Sequence, residues 1–221
     1  HCPEYISDKI GDLCSGSDDI REASIRIAQA TLDWTRAISG NFKGDPKVIV
    51  HPGAVSMNAR LKPNVMANNL IRSLDVIDDR GCELILENLP PNPVYLGGMW
   101  KTNFWMSSAE IREFCVETGV NICFDLSHAA LWCNSSGYDL VKYIEEIQEF
   151  IIHMHISDAF GTTGEGIQIG EGDIDLKKIL PMLDFENTTW VPEPWQGHKF
   201  GNRGFIIALN KINEILIDIN R

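Results

Sequence analysis

Five short apolar runs in this chain each end in a side chain that can bind a metal, and they recur at nearly constant spacing. They are Val48-Ile49-Val50-His51, Leu84-Ile85-Leu86-Glu87, Ile122-Cys123-Phe124-Asp125, Ile151-Ile152-His153-Met154-His155 and Thr189-Trp190-Val191-Pro192-Glu193. The terminal residues are 36, 38, 30 and 38 positions apart, the length of one strand-plus-helix unit. In a parallel α/β barrel the C-terminal ends of all strands meet on one face. His51, Glu87, Asp125, His155 and Glu193 are therefore expected to converge.

The segments between the runs read as helices. Residues 19–39 carry Ile20, Ala23, Ile27, Ala30 and Trp34 at helical spacing. Residues 63–80 place Val65, Leu70, Leu74 and Ile77 inward, with Gly81 as C-cap. Ser107-Ser108-Ala109-Glu110 is a capping box, and Gly119 closes the helix it opens. Helices at 138–149, 175–183 and 203–219 complete the alternation, which predicts a parallel sheet with right-handed crossovers. The fold class is α/β, a TIM (β/α)8-type barrel formed by one domain over residues 1–221. Only five strands are visible, whereas a closed barrel typically takes about 250 residues. The expectation is a barrel incomplete at its N-terminus, with its open edge covered by a longer polypeptide or by a partner chain such as a second copy.

The net charge of −12 opposes binding to a polyanion, so a nucleic-acid partner is not expected. No run of about 18 apolar residues exists, so no membrane partner is expected either. The six cysteines form no C-x-x-C pair, which suits a reducing cytoplasm and core thiols rather than ligands.

Glu87 and Asp125 end apolar strands, where a buried carboxylate must be paired or metal-bound. Strand alternation puts His153 and His155 on one side, with His155 nearer the C-terminal end and His153 the core or supporting histidine. Three carboxylates and one imidazole make a mostly oxygen site, suited to one divalent ion, Mn²⁺ or Mg²⁺, with Zn²⁺ or Co²⁺ as alternatives. His51 reads as a ligand of a second metal or a substrate contact. Trp100, Trp105, Trp132 and Trp195 fall in loops expected on the site face, and His198 follows Trp195 closely. The glycine-rich segment 161–172 matches no phosphate-binding motif and reads as a plain flexible loop.

The runs VIVHPG, LILENLP, ICFDLSH, HMHISD and VPEPWQGH resemble the xylose isomerase-like TIM barrels, which include sugar-phosphate isomerases and epimerases and the endonuclease IV group. The resemblance covers nearly the whole chain, from the end of the third barrel strand onward. It implies a metal held by Glu87, Asp125, His155 and Glu193, with Glu87 and Glu193 as the acid/base pair acting on a small-molecule sugar. His51, His128, Trp195 and His198 would contact the substrate. The endonuclease IV branch adds zinc ligands that match His1, His51 and His128, and His1 with His51 would form a second metal position. That branch also requires an Asp-x-His pair where this chain reads Gly164-Glu165-Gly166-Ile167-Gln168, so a third zinc would lack its ligands. The resemblance therefore implies a metal-dependent sugar isomerase or epimerase, with a zinc phosphodiesterase or a noncatalytic sugar-binding barrel as alternatives.

Overall fold

The computed structural model describes residues 1–57 and 62–219. The five runs form one parallel sheet: β1 (Lys47–Val50), β2 (Glu83–Glu87), β3 (Ile122–Asp125), β4 (Ile151–Ile156) and β5 (Thr189–Pro192). Their spatial order follows the chain, with each strand hydrogen-bonded to the next. This is a parallel half-barrel of the TIM type, backed by helices. Outside β1, the Cys2 amide donates to the Ile49 carbonyl at 2.7 Å. Residue 1 thereby reaches the same end of the sheet as the five predicted residues.

The helices are α1 (Asp18–Ile38), α2 (Pro63–Leu74), α3 (Ser108–Thr118), α4 (Leu126–Ser136), α5 (Leu140–Ile147), α6 (Leu176–Ile179) and α7 (Lys199–Ile219), the last opening on a left-handed turn at Phe200, Gly201 and Asn202. The face that α1 buries carries Arg21, Ser24, Ala28 and Leu32, while Trp34 is 73% exposed. Small residues allow close approach here, and the Ser24 hydroxyl accepts from the Asp12 amide at 2.8 Å. In α2 the buried residues are Met66, Leu70 and Ser73; Val65, expected inward, is 49% exposed. The helix also stops at Leu74 rather than 80. The Gln29 side chain of α1 captures both the amide and the carbonyl of Asp78, at 2.8 and 3.1 Å. Gly81, at φ 76°, sits in the turn before β2 rather than at a helix end.

Helix α3 has the expected capping box, with Ser107 and Glu110 each accepting the other's backbone N–H, and a left-handed Gly119 at its C-cap. Helix α4 is absent from the sequence reading. It starts immediately after β3 because the Asp125 carboxylate accepts the His128 amide at 2.7 Å and so caps it. Of the tryptophans expected on the site face, Trp105 is fully buried against Phe114. Trp132 lies in α4 against Tyr138 and Tyr143.

The glycine-rich segment is not a plain loop. Asp158–Phe160 pairs with Gly164–Ile167 as a short hairpin. Beyond it the chain wraps around the fully buried Asp158 carboxylate, whose Oδ1 accepts the amides of Ala159 (2.9 Å) and Ile174 (3.2 Å). Its Oδ2 accepts those of Gly170 and Gly172, both at 3.0 Å. Gly172 is required there, since a Cβ would lie 2.2 Å from the Ala159 carbonyl oxygen.

Candidate metal centre

The strand ends bring Glu87, Asp125, His155 and Glu193 together: each offers a ligand atom, all within 4.8 Å of one another. Glu87 is 1% exposed, the last residue of β2. Its Oε1 faces His155 Nδ1 at 3.2 Å, and Glu193 Oε2 lies 2.7 Å from that same nitrogen. Asp125 Oδ2 is at 4.0 Å, its Oδ1 being committed to the α4 cap. Asn88, next to Glu87, spans the two strands. Its side-chain oxygen accepts the Asp125 amide at 2.7 Å, and its NH₂ donates to the Asp125 carbonyl at 2.9 Å.

A second group joins His1 and His51 to the other oxygen of Glu87. His1 Nε2 lies 3.1 Å and His51 Nε2 3.3 Å from Glu87 Oε2. In both rings the Nδ1 side is anchored elsewhere. His1 Nδ1 is 2.7 Å from the Cys2 carbonyl. His51 Nδ1 lies between Glu4 Oε1 at 3.2 Å and the Tyr95 hydroxyl at 3.3 Å. His128 follows the pattern, with Nδ1 2.9 Å from the Asn88 carbonyl. An Nδ1–H held by an oxygen leaves Nε2 with its lone pair. Two lone pairs aimed at one carboxylate oxygen repel unless a proton or metal ion lies among them.

The electrostatics agree. Burial acts to raise the Glu87 carboxyl, but His155 and His51 outweigh it and hold the group well below the usual carboxylate range. Burial acts to lower His51, yet Glu87 pushes it up to about 9. Burial lifts Asp125 to about 6, with Glu87 and Glu193 adding to the rise and His128 opposing it. His155 is raised because the charge of Glu87 overcomes its burial. The cluster therefore demands positive charge. His155 Nδ1 nevertheless makes no well-directed hydrogen bond despite its close carboxylates. A buried nitrogen ringed by oxygens but bonded to none is the arrangement a shared cation satisfies, so the donor set fits a divalent ion.

His153 stands beside His155 with ring centroids 5.4 Å apart. Contrary to the expectation that no cysteine is placed as a ligand, Cys123 has its sulfur within 4.8 Å of ligand atoms on both histidines. Strand register explains this, because Cys123 pairs with His153 and Asp125 with His155.

The centre opens into a cavity of about 480 Å³ lined by His1, His51, His128, Trp195 and His198 together with the carboxylates. Glu4, Tyr95 and Glu165 also line it and were missed from the sequence. Tyr95 lies in a hairpin that no periodic signal marks. Glu165, flanked by glycines, had the look of a loop acid.

The sequence model of a family described as xylose isomerase-like TIM barrel matches residues 1–206. An uncharacterized protein of Methanocaldococcus jannaschii is 30% identical over 176 residues, covering 75% of this chain and 57% of the relative. A probable endonuclease 4 of Natranaerobius thermophilus is 27% identical over 204 residues, covering 86% and 66%. The chain thus spans less than two thirds of the length of these curated relatives. Among solved structures, a D-tagatose 3-epimerase-like protein superposes with a TM-score of 0.72 at 21% identity, over 100% of this chain and 77% of that one. At that identity the superposition shows the fold.

Proposed function

Because the chain belongs to the xylose isomerase-like TIM barrel family, we propose that it is a divalent-metal-dependent isomerase or epimerase of a sugar or sugar phosphate. The observation that carries this is the four-residue donor set around the unbonded His155 Nδ1. Glu87, Asp125, His155 and Glu193 would hold the ion, Mn²⁺ or Mg²⁺ by oxygen count. When bound, it supplies Lewis-acid polarisation of a keto oxygen. Glu193, whose side chain is 49% exposed and lines the cavity, would take the proton from the adjacent carbon. Glu87, held ionised inside the cluster, would orient the ligands and the enediolate, and the proton that Glu193 takes would be returned by Glu193 to the neighbouring carbon. His128 orients a sugar hydroxyl through Nε2, and Trp195 with His198 forms the outer wall. A longer polypeptide or second copy would cover the open side of the half-barrel. The test is exchange of the carbon-bound proton of free ketoses with deuterium in the presence of Mn²⁺. Exchange that survives Glu193→Gln unchanged would refute the assignment.

A second reading is a zinc phosphodiesterase of the endonuclease IV kind. Its specific support is the His1, His51 and Glu87 group. Two or more zinc ions per chain by native mass spectrometry, with cleavage of duplex DNA at abasic sites, would replace the leading reading.

A further inference from the structure

Building on the isomerase or epimerase reading, we propose that the substrate is an uncharged sugar, bearing neither phosphate nor carboxylate, and that Glu165 enforces this selection.

The first argument is the charge of the wall. Beyond the carboxylates that would hold the ion, Glu4 and Glu165 line the cavity beside His1, His51, His128 and His198, and among the described residues no lysine or arginine does. A phosphoryl group is recognised by Arg forks, Lys, or free backbone N–H groups at a helix N-terminus or nest. The second argument is that the candidate N–H groups are already engaged. Barrels of this type bind phosphate where the loops after the last two strands meet. Here the loop after β4 directs four amides at the Asp158 carboxylate. At the start of α4 the His128 amide is held by Asp125. At both of these places an internal carboxylate already takes amides that an anionic ligand would use.

The third argument is that Glu165 is fixed at the mouth. Next to it, the Gly166 amide donates to Ser127 Oγ at 3.2 Å, and the Gly166 carbonyl accepts the Trp195 amide at 2.7 Å. A Cβ at Gly166 would lie 1.9 Å from Trp195 Cδ1. The Glu165 carboxylate lies 3.7 Å from His128 Nε2, on the other side of that ring from Glu87, whose Oε1 is 3.6 Å from Nδ1. A carboxylate so placed accepts hydroxyl protons from a polyol and repels a phosphate dianion. Trp195, 64% exposed beside it, offers an apolar face to the C–H side of a sugar ring.

The test is calorimetric titration of the Mn²⁺-loaded full polypeptide with free ketohexoses, their 6-phosphate esters and inorganic phosphate. We expect the free sugar to bind at least tenfold tighter than its ester, and Glu165→Gln to shrink that ratio several-fold by improving ester binding. An ester that binds as tightly as the sugar, or a ratio unmoved in Glu165→Gln, overturns the proposal. Sugar binding without proton exchange would sink the isomerase reading and leave the selectivity standing. Binding of neither ligand overturns both.

Discussion

Asp158 gives the sharpest physical test of how the loop beside the site is built. Replacing it with alanine removes the acceptor of four backbone N–H groups at once. Each bond is worth about 1 kcal/mol net, and more to a charged acceptor. The Ala159 donor is buried and stays unpaired, whereas Gly170 is exposed and Gly172 half-buried, so water can reach those two. With that discount the loss is about 3 kcal/mol, near a hundredfold in the folding equilibrium. For a chain of this size it corresponds to a fall in Tm of about 6–12 °C. Asp158→Asn should not rescue it. One side-chain position would then be an NH₂ facing two N–H donors, whichever way the amide turns. Urea denaturation and calorimetric melting measure the loss, and amide exchange at Gly170 and Gly172 should accelerate in step. An Asn variant within about 0.5 kcal/mol of the parent would refute the idea that this carboxylate organises the segment.

Three further outcomes are expected. Burial lifts Asp12 to about 6 despite the amides of Ala54 and Cys14. A folded-state value above the unfolded one contributes stability below about pH 3.8 that is lost as pH rises through about 6, on the order of 2–3 kcal/mol. Asp12→Asn keeps the accepting oxygen, so urea melts across that window should lose the part of their slope that Asp12 contributes, with Asp125, also lifted to about 6, still titrating. Gly166→Ala, which meets Trp195 and requires φ 63°, should destabilise by about 1–3 kcal/mol and shift tryptophan fluorescence; a silent substitution would contradict the clamp. Ser107→Ala, which removes the α3 cap, should lower the urea midpoint by an amount equivalent to about 1 kcal/mol.

The strands and the residues at their ends were legible because each writes a short apolar run that stops where the site starts, although only β2 and β3 are buried along both faces. The capping box at Ser107 was legible because its two members lie within one turn. The burial pattern of α1 was not, because three of the four residues on its inner face, Arg21, Ser24 and Ala28, are polar or small. Ser24 and Arg21 are held there by contacts with Asp12 and Ser15, which only the folded chain brings close. Helix α4 was hidden because Asp125 has two uses, one oxygen for the helix and one for the cluster. The loop around Asp158 was hidden because its four partners lie up to 16 residues away, and no local pattern separates such an acid from one in solvent. His1 was matched only through the family resemblance; its place beside Glu87 depends on the Cys2 to Ile49 bond.

The Asn88 amide, bonded both ways to the backbone of Asp125, imitates the rung a further residue of β2 would have supplied. Two neighbouring strands can thereby part company at the rim without leaving naked peptide groups behind. The spacing between Glu87 and Asp125 is consequently inherited from the scaffold and owes nothing to the crests above it. Changes in the segments bearing Glu165 and Trp195 would therefore leave the separation of these two carboxylates in place. The geometry between the two strand ends is thus set from below, by the strands, rather than by whatever ligand enters from above.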